Sequence, residues 1–175
     1  MLSAKDILII LFRGLGLFLL QVGVLQELHI QGYAYPMVQV LFILLMPYNI
    51  APALLLVIGF GYGYLLDVFC NGSGIYAGSL VATAYFRKYI LALIRPLMGY
   101  DKDTVLNLQN LGSLWFAKYL FLSLLIHNLS FYFLDSLSLH NMLFTLLKAI
   151  SGILLSFIIL WIINLLFIPT KFKRR

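Results

Sequence analysis

The sequence predicts an all-α polytopic membrane protein with six transmembrane helices in a single domain. Three observations carry that expectation. Of 175 residues, 63% are hydrophobic and only 10% charged, with a mean hydropathy of +1.01, too apolar for a soluble globular domain. Several apolar runs reach about 18 residues or more, the length that crosses ~30 Å of hydrocarbon. Threading those runs alternately through a bilayer also gathers nearly all the cations on one side. No polar stretch is long enough for a second domain, so residues 1–175 read as one integral membrane unit.

The first span is expected over 7–25. Lys5 ahead of it imitates a signal-peptide start, but the run is long, Arg13 interrupts it, and no small-x-small cleavage site follows, so it reads as retained. After the polar loop from Gln26 to Gln31, Pro36 stands where a helix can begin. Met37 to Met46 is apolar, and the stretch from Pro47 to Pro52 ends that run. A helix over 36–47 would cover only ~18–20 Å at 1.5 Å per residue, short for a span. Two further helices, 51–69 and 75–94, come next as a hairpin, closed by Arg95-Pro96 because the residue before proline is pushed out of helical geometry. The longest polar connection carries Asp101, Lys102 and Asp103, with a weak interfacial helix at Val105 to Leu108. Spans over 114–134 and 142–168 complete the set, ahead of a basic tail from Lys171 to Arg175.

The chain is organised around its hairpin. Gly59, Gly61 and Gly63 precede a lone carboxylate, Asp67; the turn from Asn71 through Gly72 to Gly74 then opens a second apolar run carrying Gly78. Gly59 and Gly63 are one helical turn apart, and small residues so spaced let helix backbones approach closely in lipid. The expected structure is a tight transmembrane hairpin with an acid near its tip.

Charge placement sets the topology. With six spans and both termini in the cytoplasm, eleven of the twelve cations lie on or near the inner side, and Lys148 alone falls in the outer half. Glu27, Asp67 and Asp135 fall at outer loops and helix ends. A re-entrant 36–47 would turn Arg87, Lys88, Arg95 and Lys102 outward, so this stretch is expected to cross. The net charge of +6 then reflects topology and attraction to anionic inner-leaflet lipid, with no nucleic-acid partner implied.

Chemistry is thin. Gly72, Gly74 and Gly78 superficially imitate a dinucleotide fingerprint, but that motif needs a preceding strand in a soluble βαβ unit. Ser73 lacks both the first glycine of a rhomboid-type Gly-x-Ser-Gly and a base at hand. The single cysteine, Cys70, excludes an internal disulfide, and no histidine or acid cluster has metal-ligand spacing. No catalytic, cofactor-binding or metal-binding residue is therefore expected. Intramembrane polar residues are better leads. Lys118 reads as snorkelling. His127, Asn128 and Asn164 read as bonding across helices. Asp67 and Lys148 are expected to pair across the bundle; alternatively both reach headgroups, or Lys148 meets Asp135.

These residues carry a family resemblance. Gly59-x-Gly61-x-Gly63-x-x-x-Asp67, then Gly72-x-Gly74-x-x-x-Gly78 and the apolar run to Tyr85, resemble the MreD family, the small polytopic rod-shape subunit of the bacterial cell-elongation complex. The segment from His127 through Asn128 to Asp135 is similar to one found in a branch of that family. The resemblance implies a non-enzymatic scaffold of the bacterial cytoplasmic membrane that takes no cofactor. It implies binding to the bitopic protein MreC, and through it a link from MreB filaments to the peptidoglycan glycosyltransferase and transpeptidase. It also implies a six-helix fold similar to the substrate-binding S component of energy-coupling-factor vitamin transporters. That fold supplies the rival function, an S component, which would need polar groups converging on an outward pocket. Asn71, His127, Asn128, Asp135 and Lys148 are a thin set for that role. A lipid-modifying enzyme, the third reading, lacks a recognisable paired-acid motif on a cytoplasmic loop. The sequence leaves open which helix face meets MreC and whether the chain forms a homodimer.

Overall fold

The computed structural model of the chain describes residues 4–26, 35–97, 99–100, 106–136 and 142–167. Glu27, His29, Asp101, Lys102, Asp103, Val105, His140 and the basic tail from Lys171 to Arg175 lie outside them, as does the expected end of the last span at 168.

Among the described residues the fold is all-α, with seven α-helices and no sheet. Helix α1 (Ala4–Leu20) runs on into a π-helical turn, Gln21–Leu25. Then come α2 (Val40–Leu44), α3 (Pro52–Cys70), α4 (Ile75–Leu93), α5 (Leu108–Leu111), α6 (Ser113–Ser136) and α7 (Met142–Phe167). Four stretches, Ile7–Leu25, Pro52–Cys70, Ser113–Ser136 and Leu143–Leu166, are long and apolar enough to cross a membrane. Helix α4 matches α3 in length, 19 residues each, but spends several positions on Ser79, Thr83, Arg87 and Lys88.

Local signals explain the helix ends. Pro52 occupies the first turn of α3, where its preset φ helps and its missing N–H costs nothing. Asn71 ends α3 in the left-handed region at φ 53°, and the Gly72 N–H returns to the Asp67 carbonyl at 2.9 Å. Gly74, at φ 92°, holds a conformation that side-chain-bearing residues rarely adopt. The expected interfacial helix appears as the single turn α5, a few residues later than predicted, because the Asn107 side chain accepts from the Asn110 N–H at 2.9 Å and starts the turn there.

Helices α3 and α4 form an antiparallel hairpin, α4 packs on α6 and α2, and α6 packs on α7. The core runs between them through Leu66, Leu80, Phe116, Tyr119, Leu120, Leu124 and Leu160. The outward faces of α1, α3 and α7 are lined by exposed apolar side chains such as Phe12, Val57 and Leu154. That is an inside-out distribution for water and an ordinary one for lipid.

The main correction concerns 36–47. It is not a continuous helix. Residues 35–38 have no regular secondary structure and only Val40–Leu44 is helical, yet every residue from Met37 to Met46 except the half-buried Phe42 is buried. Its level can be followed against α6. The Tyr35 N–H meets the Tyr132 hydroxyl, Gln39 meets His127, and the Leu44 carbonyl meets the Tyr119 hydroxyl. Positions 132 to 119 of a helix span ~20 Å at 1.5 Å per residue. The segment therefore runs antiparallel to α6 along the bundle, by threading rather than by coiling.

Candidate functional site

The glycine hairpin is built as one unit. A Cβ on Gly63 would lie 2.5 Å from the Ala77 Cα and 2.8 Å from the Ala77 nitrogen, so backbone meets backbone there. Gly59 faces Leu80 and Ala84 at ordinary contact distance, 3.4–3.5 Å. Gly78 receives a methyl of Leu134 from α6, and Tyr76 packs edge-on against Phe131 at 5.0 Å. Gly61 departs from the expectation. It points away from the hairpin into open space, because a residue two positions along a helix turns to the far side.

Asp67 also differs from its expected role. Its carboxylate accepts from the backbone N–H groups of Tyr76 (Oδ1, 3.0 Å) and Ala77 (Oδ2, 2.8 Å) at the start of α4. The neighbouring N–H groups go elsewhere, Ile75 to the Gly72 carbonyl and Gly78 to the Gly74 carbonyl, both at 2.9 Å. The free donors of Ile75, Tyr76 and Ala77 at this helix start are thus satisfied and Gly78 opens the regular ladder, which matters most where no water is available. An anion here also complements the helix dipole. Gly72 is required by the same arrangement, since a Cβ there would collide with Asp67 Oδ1 and the Tyr76 ring.

No ion pair forms between Asp67 and Lys148 among the described residues. The carboxylate is saturated by backbone donors, while Lys148 is half-buried and Asp135 exposed on the other helices. Asp67→Ala should accordingly cost about 2–3 kcal/mol, the loss of a buried charge-assisted cap. Lys148→Ala should stay within about 0.5 kcal/mol and the two should add. Denaturation midpoints of the single and double variants check this, and a double variant no worse than Asp67→Ala alone, alongside a costly Lys148→Ala, would restore the pair.

A second constellation was not visible in the sequence. It is a buried polar axis that holds the threaded segment. Near one end, Gln21 on the π turn acts as a strand partner: its Nε2 donates to the Pro36 carbonyl at 3.1 Å, and its Oε1 accepts from the Val38 N–H at 3.0 Å. The Met37 N–H donates to the Ser156 hydroxyl of α7 at 2.8 Å. At mid-depth His127 bridges α4 and the segment. The Thr83 hydroxyl donates to the Ser79 carbonyl at 2.8 Å and so accepts from His127 Nδ1 at 3.1 Å; Gln39 Nε2 then donates to His127 Nε2 at 3.3 Å. This pattern assigns a neutral imidazole with its proton on Nδ1.

At the other end stands Arg87, only 3% exposed. Its Nε donates to the Tyr119 hydroxyl at 2.9 Å, its Nη2 to the Met46 and Pro47 carbonyls, and its Nη1 to the Pro47 carbonyl at 3.4 Å. Tyr119 in turn donates to the Leu44 carbonyl at 3.1 Å. A cation thus closes the carbonyl end of α2, where the dipole favours positive charge. No carboxylate joins it among the described residues.

Of the predicted polar residues, His127 does bond across helices. Asn128 instead bonds within its own helix, Nδ2 to the Leu124 carbonyl at 2.9 Å, with Oδ1 lying where a side chain at Gly152 would sit. Asn164 is buried with no partner among the described residues, so its expected cross-helix bond is absent there. Lys118 is exposed, as snorkelling requires. Gln21, Gln39, Thr83, Tyr119 and Ser156 were missed as site residues. Their one sequence signal is polarity inside an apolar run, which in lipid demands a partner. No metal-ligating group of three or more residues occurs among the described residues. Comparison with known protein families, curated proteins and solved structures finds no match to this chain.

Proposed function

We propose that this chain is a six-pass, non-enzymatic scaffold of the MreD type in the bacterial cytoplasmic membrane. Its spans are α1 with its π turn, the threaded segment 35–47, α3, α4, α6 and α7, with both termini in the cytoplasm. Its role is to bind MreC and help couple MreB filaments to peptidoglycan synthesis. The observation that carries this reading is the hairpin: Gly59, Gly63, Asp67, Gly72, Gly74 and Gly78, which make up most of the resemblance, act together as one packing and capping unit. The polar axis has the same character. Gln21, Ser156, Tyr119 and Arg87 bond the backbone of the threaded segment. Rigid presentation of helix faces suits a subunit that works by assembly.

The test is co-purification. Tagged chain extracted in mild detergent should bring down a single-pass protein with a periplasmic coiled coil, the architecture of MreC, in stoichiometric amount, and depletion should turn rod-shaped cells round. A chain that purifies without such a partner but with a bound vitamin-sized molecule would replace the scaffold with a transport module.

A further inference from the structure

The buried face of α4 is fully used: Ser79, Leu80, Thr83, Ala84, Arg87, Ile90 and Leu91 look inward. Its opposite face carries a different group. Tyr85, Phe86 and Tyr89 are exposed and mutually packed, with centroids 5.2 Å apart for Tyr85 and Phe86 and 5.8 Å for Tyr85 and Tyr89. The Lys88 ammonium, instead of extending along the helix to the interface, lies over both tyrosine rings, 5.1 Å and 4.8 Å from their centroids. Both distances fall within the ~6 Å reach of a cation–π contact. The two phenol rings and the ammonium thus form one exposed cluster. Lys88 has no ion pair among the described residues.

The depth of the spot follows from its neighbour. Arg87 bonds at the level of Pro47 and Tyr119, the end of the bundle where α3 and α6 begin. In the orientation proposed above this is the cytoplasmic end, and the inference rests on that orientation. A lysine there meets the inner-leaflet headgroup region, where anionic lipid creates the negative surface potential.

We propose that Tyr85, Lys88 and Tyr89 form a site for the phosphate of an anionic phospholipid, with Phe86 lying along its acyl chain. Charge selects the occupant. The ammonium requires an anion, two phenols supply further donors to phosphate oxygens, and the flanking surface is apolar. The pre-set position over the rings also reduces the rotamer entropy lost on binding.

Native mass spectrometry of the full chain from mixed phosphatidylglycerol and phosphatidylcholine micelles tests this. The first retained lipid should favour phosphatidylglycerol by about fivefold. Lys88→Gln should abolish that preference, and the double variant Tyr85→Phe, Tyr89→Phe should reduce it by about threefold. Lys118→Gln, which removes an exposed cation of α6, should leave it unchanged. All these positions are exposed, and an unaltered denaturation midpoint verifies that each variant is folded. Equal loss in Lys118→Gln, or no loss in Lys88→Gln, overturns the site in favour of diffuse charge attraction. Equal retention of both lipids, or retention of neither, overturns the site; the orientation it rests on fails separately, if a cysteine replacing Asn49 reacts with an impermeant maleimide in intact cells. A photoreactive residue at Phe86 should cross-link lipid in cells; capture of a polypeptide instead would make this a protein-binding face and overturn the proposal.

Discussion

Arg87→Ala is expected to lower stability by about 3–5 kcal/mol, enough to deplete the folded protein. The guanidinium satisfies the carbonyls of Met46 and Pro47 directly and orients the Tyr119 hydroxyl that serves Leu44. Removing it strands the buried Met46 carbonyl, leaves the Pro47 carbonyl only the 3.4 Å bond from the Ile50 N–H, and takes the donor from the Tyr119 hydroxyl, with losses of about 1–3 kcal/mol for each buried group left unsatisfied. Against a total stability of ~5–15 kcal/mol that is a large fraction. Arg87→Lys should recover part of the loss, because an ammonium reaches some of these acceptors but cannot span the planar fork. Arg87→Met keeps the packing and removes the donors, so it should behave like alanine rather than like lysine. Folded yield and denaturation midpoints in detergent give the ranking. A methionine variant as stable as the parent would show that the carbonyls need no donor.

Gly63→Leu should be comparably severe, while the same change at Gly61 should be nearly silent. At 63 the first added carbon already lies 2.5 Å from the Ala77 Cα, and backbone cannot rotate away as a side chain can. Even Gly63→Ala should cost about 1–3 kcal/mol through overpacking. Leucine should cost more than about 3 kcal/mol, because opening the hairpin also withdraws Asp67 from the Tyr76 and Ala77 N–H groups. Gly59→Ala should stay within about 1 kcal/mol, since its neighbours are at ordinary contact distance. Gly61→Ala meets nothing and gains helix propensity, so it should be neutral or slightly stabilising. Three glycines that look equivalent in sequence thus separate into a graded series, read by the same denaturation midpoints; equal costs at 61 and 63 would refute the hairpin geometry.

That series also shows what was legible beforehand. Membrane class and the hairpin followed from hydropathy and from small residues at helical spacing, both local properties. The role of Asp67 did not, because the donors it serves lie nine and ten residues later, across a turn whose path depends on Asn71 and Gly74 together. Had the glycine at 72 been weighed as a clearance for that carboxylate, the cap was inferable. The threaded segment reads as a short helix in the sequence because Val40–Leu44 is apolar and prolines bound it. Its non-helical half is stabilised by Gln21, Tyr132 and Ser156, and only the closed bundle brings those side chains to it. The charge rule places Arg87 on the inner side, but its burial follows from carbonyls left free at the end of α2.

The crossing of segment 35–47 tests the six-pass architecture most directly. In a Cys70→Ser background, a cysteine replacing Gln31 should react with a membrane-impermeant maleimide in intact cells. A cysteine replacing Asn49, in the exposed turn after Pro47, should react only after permeabilisation. Labelling of both positions from the same side would mean that the segment enters and leaves by one face, and would contradict the architecture on which the scaffold reading stands.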